Sequence, residues 1–213
     1  MHYINLSYGD IINSFKPFKK QIGKISDYKK LTLLGKGHNG KVYLVRNIYD
    51  NKYYGIKVLN KNRIVREGKL KYVRHEKYIL EHIENNFLLK LRSFFQTDKN
   101  VFFVTDYLKG DLFTLFIQNS VKLSERDLGF YIACVTLALQ CLHDNQLVYR
   151  DLKPENILLG DDGYPVLCDF GLVNLVSYKT CTLCGTPEYF APEIITSNSY
   201  DENVDWWALG ILL

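Results

Sequence analysis

With 213 residues, 47% of them hydrophobic and 14% aromatic, the chain can bury a real core as one domain or two small lobes, which excludes global disorder. The formal net charge of +4 hides an asymmetry: residues 1–100 hold 21 Lys/Arg against 8 Asp/Glu, and residues 101–213 hold 6 against 15. Two lobes of opposite sign that attract each other would explain this split, and so would an acidic second half that steers a basic partner.

In chain order, residues 1–27 show no clean periodicity. The KPFKK run at 16–20 reads as a solvated basic arm, with a membrane-surface or partner patch as the alternative. KKLTLLGKG, GKVYLVRN and YYGIKVL are short, rich in β-branched and aromatic residues, and separated by Gly- or Asn-rich turns, so they are expected as strands. Residues 61–85 turn helical, with Tyr72, Ile79, Leu80 and Ile83 on one face. Glu76 falls on that same face, an odd place for an acid. Two more strands are expected near LLKLRSFF and NVFFVTDY. From Ser124, a candidate cap, the apolar positions Leu128, Tyr131, Ile132, Val135, Leu139 and Leu142 predict a long helix.

The five cysteines (Cys134, Cys141, Cys168, Cys181 and Cys184) are odd in number, and the start shows no leader peptide. A reducing compartment is expected rather than a disulfide framework. CTLC at 181–184 has CxxC spacing but no second pair to complete a tetrahedral zinc site, so ordinary thiols are expected, with redox sensing as the alternative. No apolar run reaches transmembrane length, and MHYINL lacks the glycine that myristoylation needs.

Three motifs carry chemistry. GKGHNGKV at 35–42 fits GxGxxGxV between two expected strands, where Gly35, Gly37 and Gly40 would let backbone amides approach phosphates. A glycine-rich hairpin would look the same, but Lys57 follows on the next strand and Glu76 offers it a carboxylate partner. YRDLKPENILL at 149–159 is more specific. It offers Asp151 to orient an attacking hydroxyl, Lys153 as a cation for a migrating phosphoryl group, and Asn156 as an oxygen ligand. CDFG at 168–171 then adds Asp169 as a second hard-cation ligand, and TLCGTPEYFAPE follows at 182–193.

Together these segments resemble a eukaryotic protein kinase. YRD, CGTPEYFAPE and VDWWALG are similar to the AGC group of serine/threonine kinases, near protein kinases A and B, from about Asp27 to Leu213. The resemblance implies an α+β fold of two lobes: an N-terminal extension over 1–27, a strand-rich small lobe over 28–105, a hinge over 106–111, and a helical large lobe over 112–213, truncated in its central helix. It implies ATP and Mg2+ as cofactors, protein substrates with basic residues before Ser/Thr, and an upstream activating kinase. It implies no nucleic-acid partner and no transmembrane segment, and a cytoplasmic or nuclear location.

Residue by residue, the resemblance implies that Gly35, Gly37 and Gly40 cover ATP and that Val42 touches the adenine. Lys57 would hold the α/β-phosphates and Glu76 would position Lys57. Asp106 and Tyr107 would meet the adenine edge, behind Thr105 as a small gatekeeper. Asp151 would be the base, Lys153 would sit near the γ-phosphate, and Asn156 and Asp169 would bind magnesium. Thr186 would support Asp151 and Lys153. Thr182 would be the activation-loop phosphorylation site, read by Arg150, and Glu155 and Asp111 would face a substrate arginine. Leu80, Leu91, Tyr149 and Phe170 would stack as a regulatory spine anchored on Asp205.

The chain departs from that pattern at Gly55, His38–Asn39, Tyr72 and Asn174. The last two leave Arg150 as the one strong phosphate ligand. In the family, Trp206, Trp207, Leu209, Ile211, Leu212 and Leu213 are interior, and Glu193 pairs with an arginine beyond residue 213. Both would be left uncovered here. The alternative function is therefore a nucleotide-binding, catalytically inactive kinase-like protein that acts by contacts through its exposed face. A small-molecule kinase is a weaker third, because TLCGTPEYFAPE resembles a loop that holds a peptide.

Overall fold

The computed structural model describes residues 23–37, 40–119, 122–175, 183–196 and 199–213. The basic arm, the His38–Asn39 tip, Cys181 and Thr182 lie outside the described residues. The chain divides into two compact units. Unit 1 comprises Met1–Glu67 with Leu91–Tyr107, and unit 2 comprises Gly68–Lys90 with Leu108–Leu213.

Unit 1 is built on a five-stranded antiparallel sheet: β1 (Tyr28–Gly37), β2 (Gly40–Asn47), β3 (Tyr53–Asn60), β4 (Leu91–Gln96) and β5 (Asn100–Asp106), in the order β1-β2-β3-β5-β4. These are the expected strands. On one face Val45, Ile56, Phe95, Phe102 and Val104 form a core joined by the stacked Phe95–Phe102 and Tyr28–Phe95 rings, and on the other Phe94, Val101 and Phe103 are buried as well. Helix α1 (Lys61–Arg66) follows β3, and the Asn60 side chain caps it by accepting from the Arg63 amide at 3.0 Å.

The helix expected over 61–85 is in fact two helices. Gly68 has φ of 63°, a left-handed conformation that glycine adopts without penalty, and it separates α1 from α2 (Leu70–His82). Helix α2 belongs to unit 2. It buries Val73, Glu76 and Ile79, so the acid does lie on the inward face.

Unit 2 centres on α3 (Glu125–Asp144). Ser124 caps it as expected, in a reciprocal box with Asp127: each side chain bonds the other residue's backbone amide at 3.2 Å. Leu139 and Leu142 of α3 are fully buried in a core that also takes in Ile79, Leu147, Leu152, Ile157, Leu167, Phe170 and Leu209. Each such leucine contributes about 1.5–3 kcal/mol by leaving water. Around this core lie β6 (Gly110–Asp111), a π-helical segment (Phe113–Gln118), β7 (Leu147–Val148), β8 (Ile157–Leu159), β9 (Pro165–Leu167) and β10 (Asn174–Leu175). The short helix α4 (Pro192–Thr196) and the closing helix α5 (Asn203–Leu212) complete the unit. On α5, Val204, Asp205, Ala208 and Leu209 face inward, and Trp206 and Leu212 pack against the core's edge. Trp207, Ile211 and Leu213 stand exposed, so the terminal apolar run is amphipathic in place rather than wholly uncovered.

Candidate active site

In unit 1, the hairpin register places the glycine-rich turn and the lysine. Gly37 pairs with Gly40, and Val42 of β2 pairs with Lys57 of β3, which is also opposite Phe103 of β5. The three glycines are not equivalent. Gly40 has φ of 148°, and a Cβ there would lie 2.5 Å from the Val58 carbonyl oxygen, so local packing demands it. A Cβ at Gly35 or Gly37 would meet no protein atom within 4 Å, so these two leave an open face on the strand. At the far end of the sheet, Gly55 pairs with Thr105 and Tyr54 with Asp106. The Thr105 hydroxyl donates to the Gly55 carbonyl at 3.4 Å.

In unit 2, one hairpin sets the geometry. Pairing of Ile157 with Leu167 puts Asn156 opposite Cys168, and the Cys168 amide donates to the Asn156 carbonyl at 2.9 Å. Asp169 follows directly, so both oxygen-ligand candidates lie at the open end of the hairpin. Asn156 Nδ2 donates to the Asp151 backbone oxygen at 2.8 Å and to its Oδ2 at 2.9 Å. Both partners only accept, so the amide nitrogen must face them and Oδ1 must face away. The Asn156 Oδ1 and the Asp169 carboxylate are hard oxygen donors of the kind magnesium takes, and in that respect the residues fit the ion.

The Asp151 carboxylate sits in a tight network. Its Oδ1 accepts from the Thr186 hydroxyl at 2.7 Å, and its Oδ2 lies 3.1 Å from Lys153 Nζ. Lys153 Nζ in turn donates to the same Thr186 oxygen at 2.8 Å. Thr186 thus donates to the Asp151 carboxylate and accepts from the Lys153 ammonium at once. Its neighbour Gly185 makes the approach possible: φ is 111°, and a Cβ there would lie 2.5 Å from the Arg150 carbonyl oxygen.

Asp205, the acid in VDWWALG, is 1% exposed and supports the start of this loop. Its Oδ1 accepts from the Arg150 amide at 2.7 Å, and its Oδ2 accepts from the Tyr149 amide and is paired with His143 Nε2, both at 2.8 Å. These bonds hold Arg150 at φ 71°, and Asp169 at φ 51° is the second strained position of the site. The buried Tyr149 stacks edge-on to Phe170 and donates its hydroxyl to the Cys168 carbonyl. Burial pushes its phenol well above the ordinary value, so it remains a neutral donor.

The family is decided by comparison with known proteins: the protein kinase domain pattern matches residues 28–213. This chain belongs to the protein kinase family. Its relatives are AGC-type serine/threonine kinases. It is 45% identical over 191 residues to the cAMP-dependent protein kinase catalytic subunit of Schizosaccharomyces pombe, covering 89% of this chain and 37% of the relative. It is 42% identical over 190 residues to the corresponding subunit of Dictyostelium discoideum, covering 89% and 29%, and 42% identical over 201 residues to the serine/threonine-protein kinase sgk-1 of Caenorhabditis elegans, covering 92% and 43%. The chain therefore spans less than half the length of these curated relatives. The α+β kinase fold agrees with this membership.

The remaining residues singled out in this kinase chain occupy distinct settings. Arg150 is buried and its guanidinium is engaged: Nε donates to the Leu172 carbonyl at 2.7 Å, a terminal nitrogen donates to the same carbonyl, and the other lies 3.4 Å from the Tyr200 hydroxyl. Thr182, which it would read, lies outside the described residues. Glu155 is exposed. Asp111 caps the π-helical segment, accepting from the Thr114 amide at 2.7 Å and its hydroxyl at 3.0 Å. Glu188 escaped the reading of the sequence. Burial raises the Tyr189 phenol first, and then Glu155 and Glu188 raise it further, so the two acids share one neighbourhood. The PE dipeptide after Thr186 was the available signal. No helix of the described residues is long and apolar enough to cross a membrane.

Proposed function

We propose that the chain transfers the γ-phosphoryl group of MgATP to serine or threonine hydroxyls in protein segments that carry basic residues before the acceptor. The observation that supports this most is the Asp151–Thr186–Lys153 triangle with Asn156 behind it. An acceptor hydroxyl attacks the γ-phosphorus, the bond to the β–γ bridging oxygen breaks, ADP leaves, and the hydroxyl proton passes to Asp151. Lys153 offsets charge on the migrating group, and Thr186 keeps the Asp151 carboxylate and the Lys153 ammonium in register. Gly35 and Gly37 present backbone without side chains to the phosphates, Lys57 binds the α/β-phosphates with Glu76 as its support, and Asp106 and Tyr107 meet the adenine. Asn156 and Asp169 would hold magnesium, which would screen the phosphate charges.

Glu155 and Glu188 face the basic substrate residue; Asp111, already engaged as a cap, contributes less. Phosphorylation of Thr182 by an upstream kinase and a cytoplasmic location complete the reading. A second reading, a nucleotide-binding but inactive interaction protein, draws on the exposed Trp207 and Ile211 of α5 and on Leu213 after it. One experiment separates the two: transfer of labelled phosphate to an arginine-rich Ser/Thr peptide by the chain and by Asp151→Asn. Transfer that disappears in the variant supports the kinase. No transfer from a folded chain that still binds MgATP supports the second reading.

A further inference from the structure

Strands β4 and β5 fall out of step at one point. Leu91 pairs with Thr105, but the next pair is Ser93 with Val104, so Arg92 is an extra residue on β4. Such a bulge re-aims the side chain it carries. That of Arg92 reaches the carboxylate of Asp106 and meets it as a fork: Nε to Oδ1 at 2.6 Å and a terminal nitrogen to Oδ2 at 2.7 Å.

The position of Asp106 gives this pair its meaning. On the β3 side Asp106 is held by its partner Tyr54. On the other side the ladder with β4 ends at Thr105, one residue too early to hold Asp106. The Arg92 fork is thus what ties Asp106 across to β4. The neighbouring contact is close as well: a Cβ on Gly55 would lie 3.3 Å from the Thr105 hydroxyl oxygen, so the glycine lets β3 and β5 approach where the chain leaves the sheet.

We infer that Arg92 is a positioning residue for the nucleotide base: by clamping Asp106 it fixes the backbone edge that reads the purine. This rests on the proposed role of Asp106 and Tyr107. Arg92 touches neither nucleotide nor substrate in this scheme. Lysine could not replace it, because a point charge cannot grip both carboxylate oxygens in one plane. The pair is partly exposed, at 51% and 31% of the two side chains, so its effect is modest and weakens as salt rises.

The test is equilibrium binding of ATP, GTP and inorganic tripolyphosphate, with magnesium, to the full chain. The chain is compared with Arg92→Met, Arg92→Lys, and the exchange of Arg92→Asp with Asp106→Arg. Arg92→Met should weaken ATP binding about three- to tenfold, in keeping with a half-exposed bidentate pair, and lower the preference for ATP over GTP. Tripolyphosphate, which has no base, should bind as before. Arg92→Lys should fall between, and the exchange should recover the preference. A thermal melt checks that each variant folds; if Arg92→Met does not, Arg92→Lys carries the same comparison. Unchanged ATP affinity and unchanged ATP/GTP preference in a folded variant overturn the inference alone, as does equal loss of ATP and tripolyphosphate. A wild-type chain that binds no ATP overturns the base-contact reading and the inference with it.

Discussion

Asp205→Asn is the perturbation that most directly probes how the loop that begins at Tyr149 and carries Asp151 is held. The native carboxylate is 1% exposed and serves three partners, the Tyr149 and Arg150 amides and His143, all within 2.8 Å. Asparagine keeps one accepting oxygen. If that oxygen turns to Tyr149 and His143, the new NH2 faces the Arg150 N–H, donor against donor. The variant then loses one charge-assisted bond, worth about 1.5–3 kcal/mol, and leaves a buried amide unsatisfied at about 1–3 kcal/mol. The two costs overlap, and removing a buried charge returns part of the loss. A net destabilisation of about 3 kcal/mol is expected. At roughly 2–4 °C per kcal/mol for a chain of this size, the melting temperature should fall by about 6–12 °C. Urea unfolding followed by circular dichroism gives the free energy, with an unchanged slope showing that the unfolded state is the same. Asp161→Asn, in an exposed pair with Lys109, is the control and should lie within about 0.5 kcal/mol of the parent. An Asp205→Asn variant within about 1 kcal/mol of the parent would refute the claim that this carboxylate holds the loop.

Other substitutions test neighbouring claims. Thr186→Val should lower kcat for peptide phosphorylation about 10- to 100-fold while ATP affinity holds, and Thr186→Ser should stay within about threefold of the parent; equal rates for valine and threonine would dismiss the bridging role. Gly185→Ala puts a side chain at φ 111° and 2.5 Å from the Arg150 carbonyl, so a thermal melt should show a loss of more than about 2 kcal/mol. Leu209→Ala, in the core at 7% exposure, should cost about 2–5 kcal/mol by denaturant titration, whereas Trp207→Ser at 45% exposure should cost less than about 0.5 kcal/mol. The reverse order would mean that the inward and outward faces of α5 have been exchanged.

Much of this was legible in the sequence because the relevant residues are bound by short-range rules. Asp151, Lys153 and Asn156 sit within one turn-rich stretch, and the strands declare themselves as short β-branched and aromatic runs between turns, as in YYGIKVL. Ser124 announced its helix because a cap stands one turn before the apolar run that begins at Leu128. What was missed depends on register or on distant partners. LRSFF reads the same with or without a bulge, so nothing along the chain says that Arg92 is the extra residue that reaches Asp106. The break at Gly68 was hidden by flanking helix formers; a glycine inside a helical pattern costs only about 1 kcal/mol and does not demand a stop. The capping bond that Asp111, two residues before the π-helical segment, accepts from the Thr114 amide also went unread, because a short helical segment leaves little periodicity to mark its start. Residues of the terminal run could be recognised as apolar, but which of them face inward depends on the rotation of α5, which the core sets.

The single hydroxyl of Thr186 has a consequence for how damage accumulates. It is donor to Asp151 and acceptor from Lys153, so the three residues form an interlock rather than three separate aids. Removing any one takes away two of the three contacts at once. The losses should therefore not multiply: in a double-mutant cycle the second substitution costs far less than it does alone. The same interlock ties the segment that carries Thr186 to Asp151 and Lys153, so a displacement of that segment disturbs both proposed catalytic groups in one event.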